Sequence, residues 1–263
     1  MDAKRGVVWF AVLALYASGA HAVLMLDQPT VHALVGEDGW YENIGVIGLA
    51  LAGVFFLLAF LRSLKRSEEP AFVQFFLLLM AAVFLFGAGE EIAWGQRILG
   101  LETPEAIRAA NFQQEITVHN LDTIYGMPIR PYRLFTIPWF SVVFAAPLLC
   151  ALYPPARPLL ARLIPLVPWT LGAVFLFNDL FSKGAEAMIS ADLLPHRDND
   201  RVEIRESVFG ILCASTAFYV FHHLTRVATP AVHSRGLEII ARATSPGARS
   251  RAPQAERAMA TRD

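Results

Sequence analysis

Six stretches of this chain are almost free of charge, and each has the length of about 20 residues that an α-helix needs to cross a hydrocarbon core of about 30 Å. They lie near Val7–Leu26, Asn43–Leu61, Ala71–Gly89, Leu134–Tyr153, Leu163–Phe181 and Ser207–Leu224. With 263 residues, 55% of them hydrophobic and 17% charged, and a mean hydropathy of +0.45, the chain is too apolar for an ordinary water-soluble domain, so the bilayer is its solvent. Backbone groups in lipid must be satisfied within the segment, which makes each stretch a helix. The expected fold is therefore all-α, a polytopic membrane protein built as a bundle of six transmembrane helices over residues 1–228. The Arg-, Ala-, Ser- and Pro-rich remainder, 229–263, is expected to be a disordered basic tail.

Basic residues stay on the cytoplasmic side, so their placement gives the orientation. With both termini inside, 14 of the 22 basic residues fall on inner segments and 17 of the 23 acids on outer ones. The outer surface then sums to −9 and the inner to +8, a dipole hidden by the formal net charge of −1. Trp40, Trp94 and Trp139 are expected at the outer boundary and Trp9 and Trp169 at the inner one. The first span has a second reading: a basic start, a short apolar core and the small-residue AHA ending at Ala22 also describe a cleavable signal peptide. Cys150 and Cys213 sit at different inferred depths without CxxC spacing, which argues against both a disulfide and a metal or redox pair.

The inner connections, RSLKRSEEP and YPPARPLLAR, are short. The outer ones, Gly89 to Arg133 and Ser182 to Arg205, are far longer than the 12 to 15 residues beyond which loops are commonly functional or disordered. Function is therefore expected to face outward, and the acids concentrate there: Glu42 in GWYENIG, Glu90 and Glu91 in GAGEEIAWGQR, Glu115 in QQEITVHN, Asp179 and Glu186 in NDLFSKGAEA, and Glu203 and Glu206 in RVEIRES. Ionisable groups at membrane depth are costly and raise a functional suspicion. EEIAWGQRILG reads as an extension of the third span, with Glu90, Trp94 and Arg97 on one face. Thr103-Pro104-Glu105 reads as a helix start, and a helix from there through Asn120 sets Glu115 and His119 one turn apart. Such a carboxylate and imidazole suit a divalent metal ion or a general acid/base pair, although an exposed hydrogen bond is the commoner use of that spacing. Glu203 and Glu206 have an equally plain explanation as anions favoured by the helix dipole at the start of the last span, and Asp179 has Lys183 one turn on as an ion-pair partner. Arg97 and Gln96, with Trp94, suit an anionic headgroup. No phosphate loop, nucleophile elbow, H-E-x-x-H, Rossmann fingerprint, heme-attachment motif or nucleic-acid module is present.

The acidic Glu37, Asp38, Gly39 and Glu42, followed by Gly89–Arg97 as G-E-E-x-x-W-G-Q-R and by Gln113, Glu115, His119 and Asn120, resembles the signature of an uncharacterised group of bacterial polytopic membrane proteins, over roughly Glu37 to Leu121. That resemblance implies a multi-pass protein of the bacterial inner membrane and no particular activity. Asp38, Trp40, Glu42 and Asn43 are loosely similar to the D-W-x-E-x-N cation motif of alkaline ceramidase-like membrane hydrolases, whose H-x-x-x-H zinc pair is missing here.

The leading expectation is a metal-dependent hydrolase or transferase of the inner membrane, its polar site facing the periplasm and acting on a lipid or lipid-linked substrate. Glu90, Glu91, Glu115 and His119 hold a divalent metal, Glu42 and Glu206 serve as base, and Arg97, Trp94 and Gln96 bind the substrate. The alternatives are a cation- or proton-coupled transporter and a non-catalytic assembly or partner-binding protein.

Overall fold

The structure, a computed structural model, describes residues 3–36, 39–66, 68–125, 127, 131–195 and 198–226. The chain divides into two units, Met1–Leu224 and Thr225–Asp263. Only the first two residues of the second unit are described; the expected tail, 229–263, lies outside the described residues, as do Glu37 and Asp38.

The first unit is helical. Among the described residues the only strand-like element is an isolated antiparallel bridge between Asn111 and Leu121. The helices are α1 (Ala3–Ala22), α2 (Gln28–Val35), α3 (Trp40–Ser63), α4 (Ala71–Glu91), α5 (Gln96–Leu99), α6 (Glu105–Arg108), α7 (Asp122–Tyr125), α8 (Pro131–Phe140), α9 (Ala146–Leu152), α10 (Arg157–Leu160), α11 (Trp169–Ser190) and α12 (Asp198–Arg226). Among the described residues, five helical stretches are long and apolar enough to cross a membrane: Gly6–Met25, Gln28–Ser63, Ala71–Glu91, Arg133–Leu152 and Asn199–Leu224. The fifth expected span departs from its forecast. Pro165 and Pro168 delay the helix to Trp169, and the 22-residue α11 then carries Asn178 and Asp179 at its middle and Lys183 and Glu186 in its second half. It has the length of a span but a shortened apolar run.

The fourth span is interrupted by a π-helical turn, Ser141–Ala145, between α8 and α9. In a regular helix the amide of residue 147 would bond the Val143 carbonyl, but residue 147 is proline and has no N–H. The freed Val143 carbonyl faces α11 at Gly172, where even a methyl group would come within 2.2 Å of its oxygen.

Two glycine contacts set how the long helices meet. A Cβ on Gly48 of α3 would lie 2.4 Å from the carbonyl carbon of Gly210 on α12, and one on Gly45 would lie 3.1 Å from the Ser207 Cα. Absent side chains let these two backbones touch, as small residues commonly do between membrane helices. The core is aromatic: Phe56 stacks on Phe84 at 5.7 Å, and Trp139 meets Phe84 edge-on at 5.1 Å and Phe175 at 6.0 Å. Trp139 is 2% exposed, so it is a core residue rather than the interfacial one expected. Cys150 and Cys213 are free thiols.

α1 lies along α11. His21 Nε2 is 2.9 Å from Asn178 Oδ1, and the Asn178 amide donates to the Arg205 carbonyl of α12 at 2.9 Å. One buried asparagine thus ties three helices, which gives it a structural use within an apolar run.

Candidate functional site

Acidic segments of α3, α4, α11 and α12 line an open cavity of about 1740 Å³. Its polar part is formed by Glu42, Glu91, Asp179, Lys183, Glu186, Glu203 and Glu206, with Glu115, His119, Gln113 and Asn120 entering from the loop after α6 and Arg133, Arg201 and Arg205 from α8 and α12. Among the described lining residues, eight carboxylates, Glu90 included, face four Lys or Arg side chains. The other walls are apolar: Leu49, Val83, Phe84, Phe86, Phe135, Phe140, Phe144, Leu176 and Phe209. A second recess, of about 190 Å³, is bounded by Gln28, Pro29, His32 and Asp200 and is too small for more than a few atoms of ligand.

Glu90 is the best-held acid in the site, and the manner of its holding changes its expected role. It is 4% exposed. The Trp94 indole N–H donates to Oε1 at 2.7 Å, the backbone N–H groups of Val118 and His119 donate to Oε2 at 2.7 and 2.9 Å, and His119 Nδ1 lies 3.1 Å from the same oxygen. A carboxylate so surrounded satisfies the loop rather than a metal ion. Glu90 and His119 are therefore brought together, but as an anchor and its loop.

The expected helical extension of the third span is absent. α4 stops at Glu91, and Ala93, Trp94 and Gly95 all take left-handed backbone conformations, with φ of 46°, 55° and 77°. A left-handed alanine and tryptophan in sequence are costly, and such strain is kept where the surroundings over-determine it. Here the indole is fixed at both ends, by its bond to Glu90 and by contact with Gly89, where an added Cβ would meet Trp94 at 2.8 Å. Trp94 is thus a structural fastener rather than a substrate contact.

Gln96 is likewise absorbed by the loop. Its amide donates to Thr103 Oγ1 at 2.6 Å and its oxygen accepts from the Ile116 amide at 2.8 Å, while Thr103 Oγ1 donates to the Gln114 carbonyl at 2.7 Å. The helix expected from Thr103 through Asn120 is cut to the four residues of α6. Asn111 ends it: its side chain accepts from the Gln113 amide at 2.9 Å and donates to the Thr117 carbonyl at 2.7 Å, and Gln114 is left-handed with φ of 60°. Asn offers the backbone an alternative to the helix ladder, and here that alternative prevails. Glu115 and His119 consequently do not share a helix face, though both line the cavity. The Arg97 side chain lies outside the described residues.

The last span begins earlier than expected. α12 starts at Asp198, so Glu203 and Glu206 stand in its second and third turns, beyond the reach of the helix-end dipole offered as their plain explanation. Both line the cavity, Glu203 receiving a long 3.4 Å bond from the Asn199 amide and Glu206 a 2.9 Å bond from Arg205. Glu91, Glu42, Glu203 and Glu206 lie within electrostatic reach of one another. Arg201 is spoken for by Glu186 at 3.2 Å and Ser182 at 2.9 Å.

Several lining groups were not singled out from the sequence, Arg201, Arg205 and Ser207 among them. Arg201 and Arg205, at i and i+4 beside the acids of α12, carried a helical-face signal that reads only once the helix is known to start at Asp198. Ser207 carried none: it is 2% exposed, lines the cavity, and its hydroxyl makes no hydrogen bond among the described residues.

Among the described residues no group of three or more His, Cys, Asp or Glu side chains is arranged to hold a metal ion. Compared with protein-family models, with characterised proteins and with solved structures, the chain matches none, so its functional reading rests on the cavity itself.

Proposed function

We propose that this integral membrane protein takes a lipid or lipid-linked amphiphile into the cavity and acts on its headgroup there. The observation that carries the reading is the division of one cavity into an aromatic and aliphatic part, which suits a chain, and a carboxylate-rich part, which suits a headgroup. Ionised carboxylates only accept hydrogen bonds, and the excess of acid over base favours a headgroup that brings positive charge or several donors, such as an amine or a polyol. Glu91, Glu203, Glu206 and Glu42 are the side chains available for proton transfer at the headgroup, in a hydrolase or transferase reaction, and the Ser207 hydroxyl supplies a further contact at the α3–α12 junction. Glu90, Trp94 and Gln96 act by holding the loop that carries Glu115 and His119 to the cavity mouth.

The reading is tested by native mass spectrometry of the protein extracted with its lipids, wild type beside Glu203→Gln/Glu206→Gln. Retention of one lipid class by the wild type and its loss from the variant supports the proposal; identical lipid content in both overturns it. Elemental analysis of the same chelator-washed samples separates the metal version. Near-stoichiometric divalent metal that the double variant loses would replace proton transfer by metal chemistry at these carboxylates.

A further inference from the structure

The end of the bundle opposite the cavity holds a second constellation, of the opposite sign. α3 is 24 residues long, so its two ends stand about 36 Å apart, with Glu42 in its first turn and Arg62 in its last. Around that far end, basic groups arrive from four elements. The Arg62 guanidinium lies 3.9 Å above the ring of Phe221 on α12. Arg66, from the α3–α4 turn, donates to the Leu224 carbonyl of α12 at 3.0 Å. His223 of α12 is within electrostatic reach of Arg66, of His222 and of Arg157 at the start of α10. Among the described residues the same turn supplies two acids, Glu68 and Glu69, the latter 3.9 Å from Arg66 Nε, against Arg62, Lys65, Arg66 and Arg157.

We infer that this niche binds the phosphate of an anionic phospholipid, with Arg62, Arg66 and Arg157 as its principal contacts and His223 beside them. Two observations carry the inference. Both α3-side arginines are already held against α12, one by stacking and one by a hydrogen bond, so their guanidinium forks are ordered before a ligand arrives. Like charges brought together from separate elements repel unless an anion lies among them. A phospholipid rather than free phosphate is the occupant because the niche is bordered by outward apolar side chains at the same end of the helices. Leu61 is 47% exposed, Leu64 55%, Phe72 67% and Leu152 77%, an apolar surface for acyl chains. Basic pockets between membrane helices recognise headgroups in this way. The inference does not depend on the cavity or on what the cavity binds.

The test uses the full chain in detergent, titrated separately with phosphatidylglycerol, phosphatidylcholine and inorganic phosphate, with bound lipid counted by native mass spectrometry. The expected result is preferential binding of phosphatidylglycerol, weakened about fivefold by Arg157→Gln and about 25-fold by Arg62→Gln/Arg157→Gln, from a contribution of about 1 kcal/mol per basic residue. Arg157 is exposed, so its substitution spares the fold, and Arg157→Lys should retain most of the binding. Equal binding of phosphatidylcholine, or phosphatidylglycerol binding unchanged in both Gln variants, would overturn the inference. So would inorganic phosphate competing at the same concentration as the lipid, which would make the niche a site for the free ion.

Discussion

Glu90 accepts from an indole, two backbone amides and, with the proton on Nδ1, an imidazole, and the loop from Thr103 to Leu121 hangs from it at the end of α4. Removing the charge while keeping the shape, Glu90→Gln, leaves one oxygen and turns the other into a donor facing donors. The expected cost is about 1.5–3 kcal/mol, the range for hydrogen bonds to charged groups. Hydrogen-exchange mass spectrometry should show the amides of Val118 and His119 opening faster, while those in the middle of α4 stay protected. Its neighbour Glu91 is exposed on the cavity, and Glu91→Gln should alter lipid retention far more than loop exchange. Adjacent, chemically identical residues thus have opposite roles. The pair was legible in the sequence as an acidic helix end; which of the two faced the loop was not, because that choice depends on Trp94 reversing direction through left-handed backbone.

At the scale of the element, α3 and α12 meet through glycine. Gly48→Ala places a methyl group 2.4 Å from a backbone carbon of Gly210, where no side chain can move aside, and should lower stability by about 1–3 kcal/mol. Gly184→Ala on α11 is the contrasting case. Nothing lies within 4 Å of its added Cβ, and alanine's better helix propensity should leave stability unchanged or raise it by up to about 1 kcal/mol. Thermal unfolding of the two variants in the same detergent measures the difference. Helix existence was readable from apolar runs, but helix ends were read less well, for reasons visible in particular residues. Pro165 and Pro168 postponed α11, Asn111 truncated the outer-loop helix, and α12 began nine residues before its apolar run.

For the whole molecule, the charge distribution makes a strong prediction. With the basic segments cytoplasmic, a reporter active only in the cytoplasm should be active when fused at the C-terminus. A cysteine introduced at Glu115 should react with a membrane-impermeant thiol reagent from the opposite side. A cysteine at Arg157 should react only after permeabilisation. The reverse pattern would invert the orientation and put the acidic cavity inside.

Long apolar runs and the partition of charge are properties of local composition, and a bilayer acts on composition directly, so the sequence alone determined a helical membrane protein with acid gathered at one end. The cavity was decided elsewhere. Whether an acid lines a void, fastens a loop or pairs with an arginine depends on residues far apart in the chain, as Glu90 depends on Val118, Glu186 on Arg201 and the α3–α12 contact on Gly48 and Gly210. Those relations are set by packing geometry at distances of a few ångströms, to which periodicity and composition carry no signal, and only the tertiary structure supplied them.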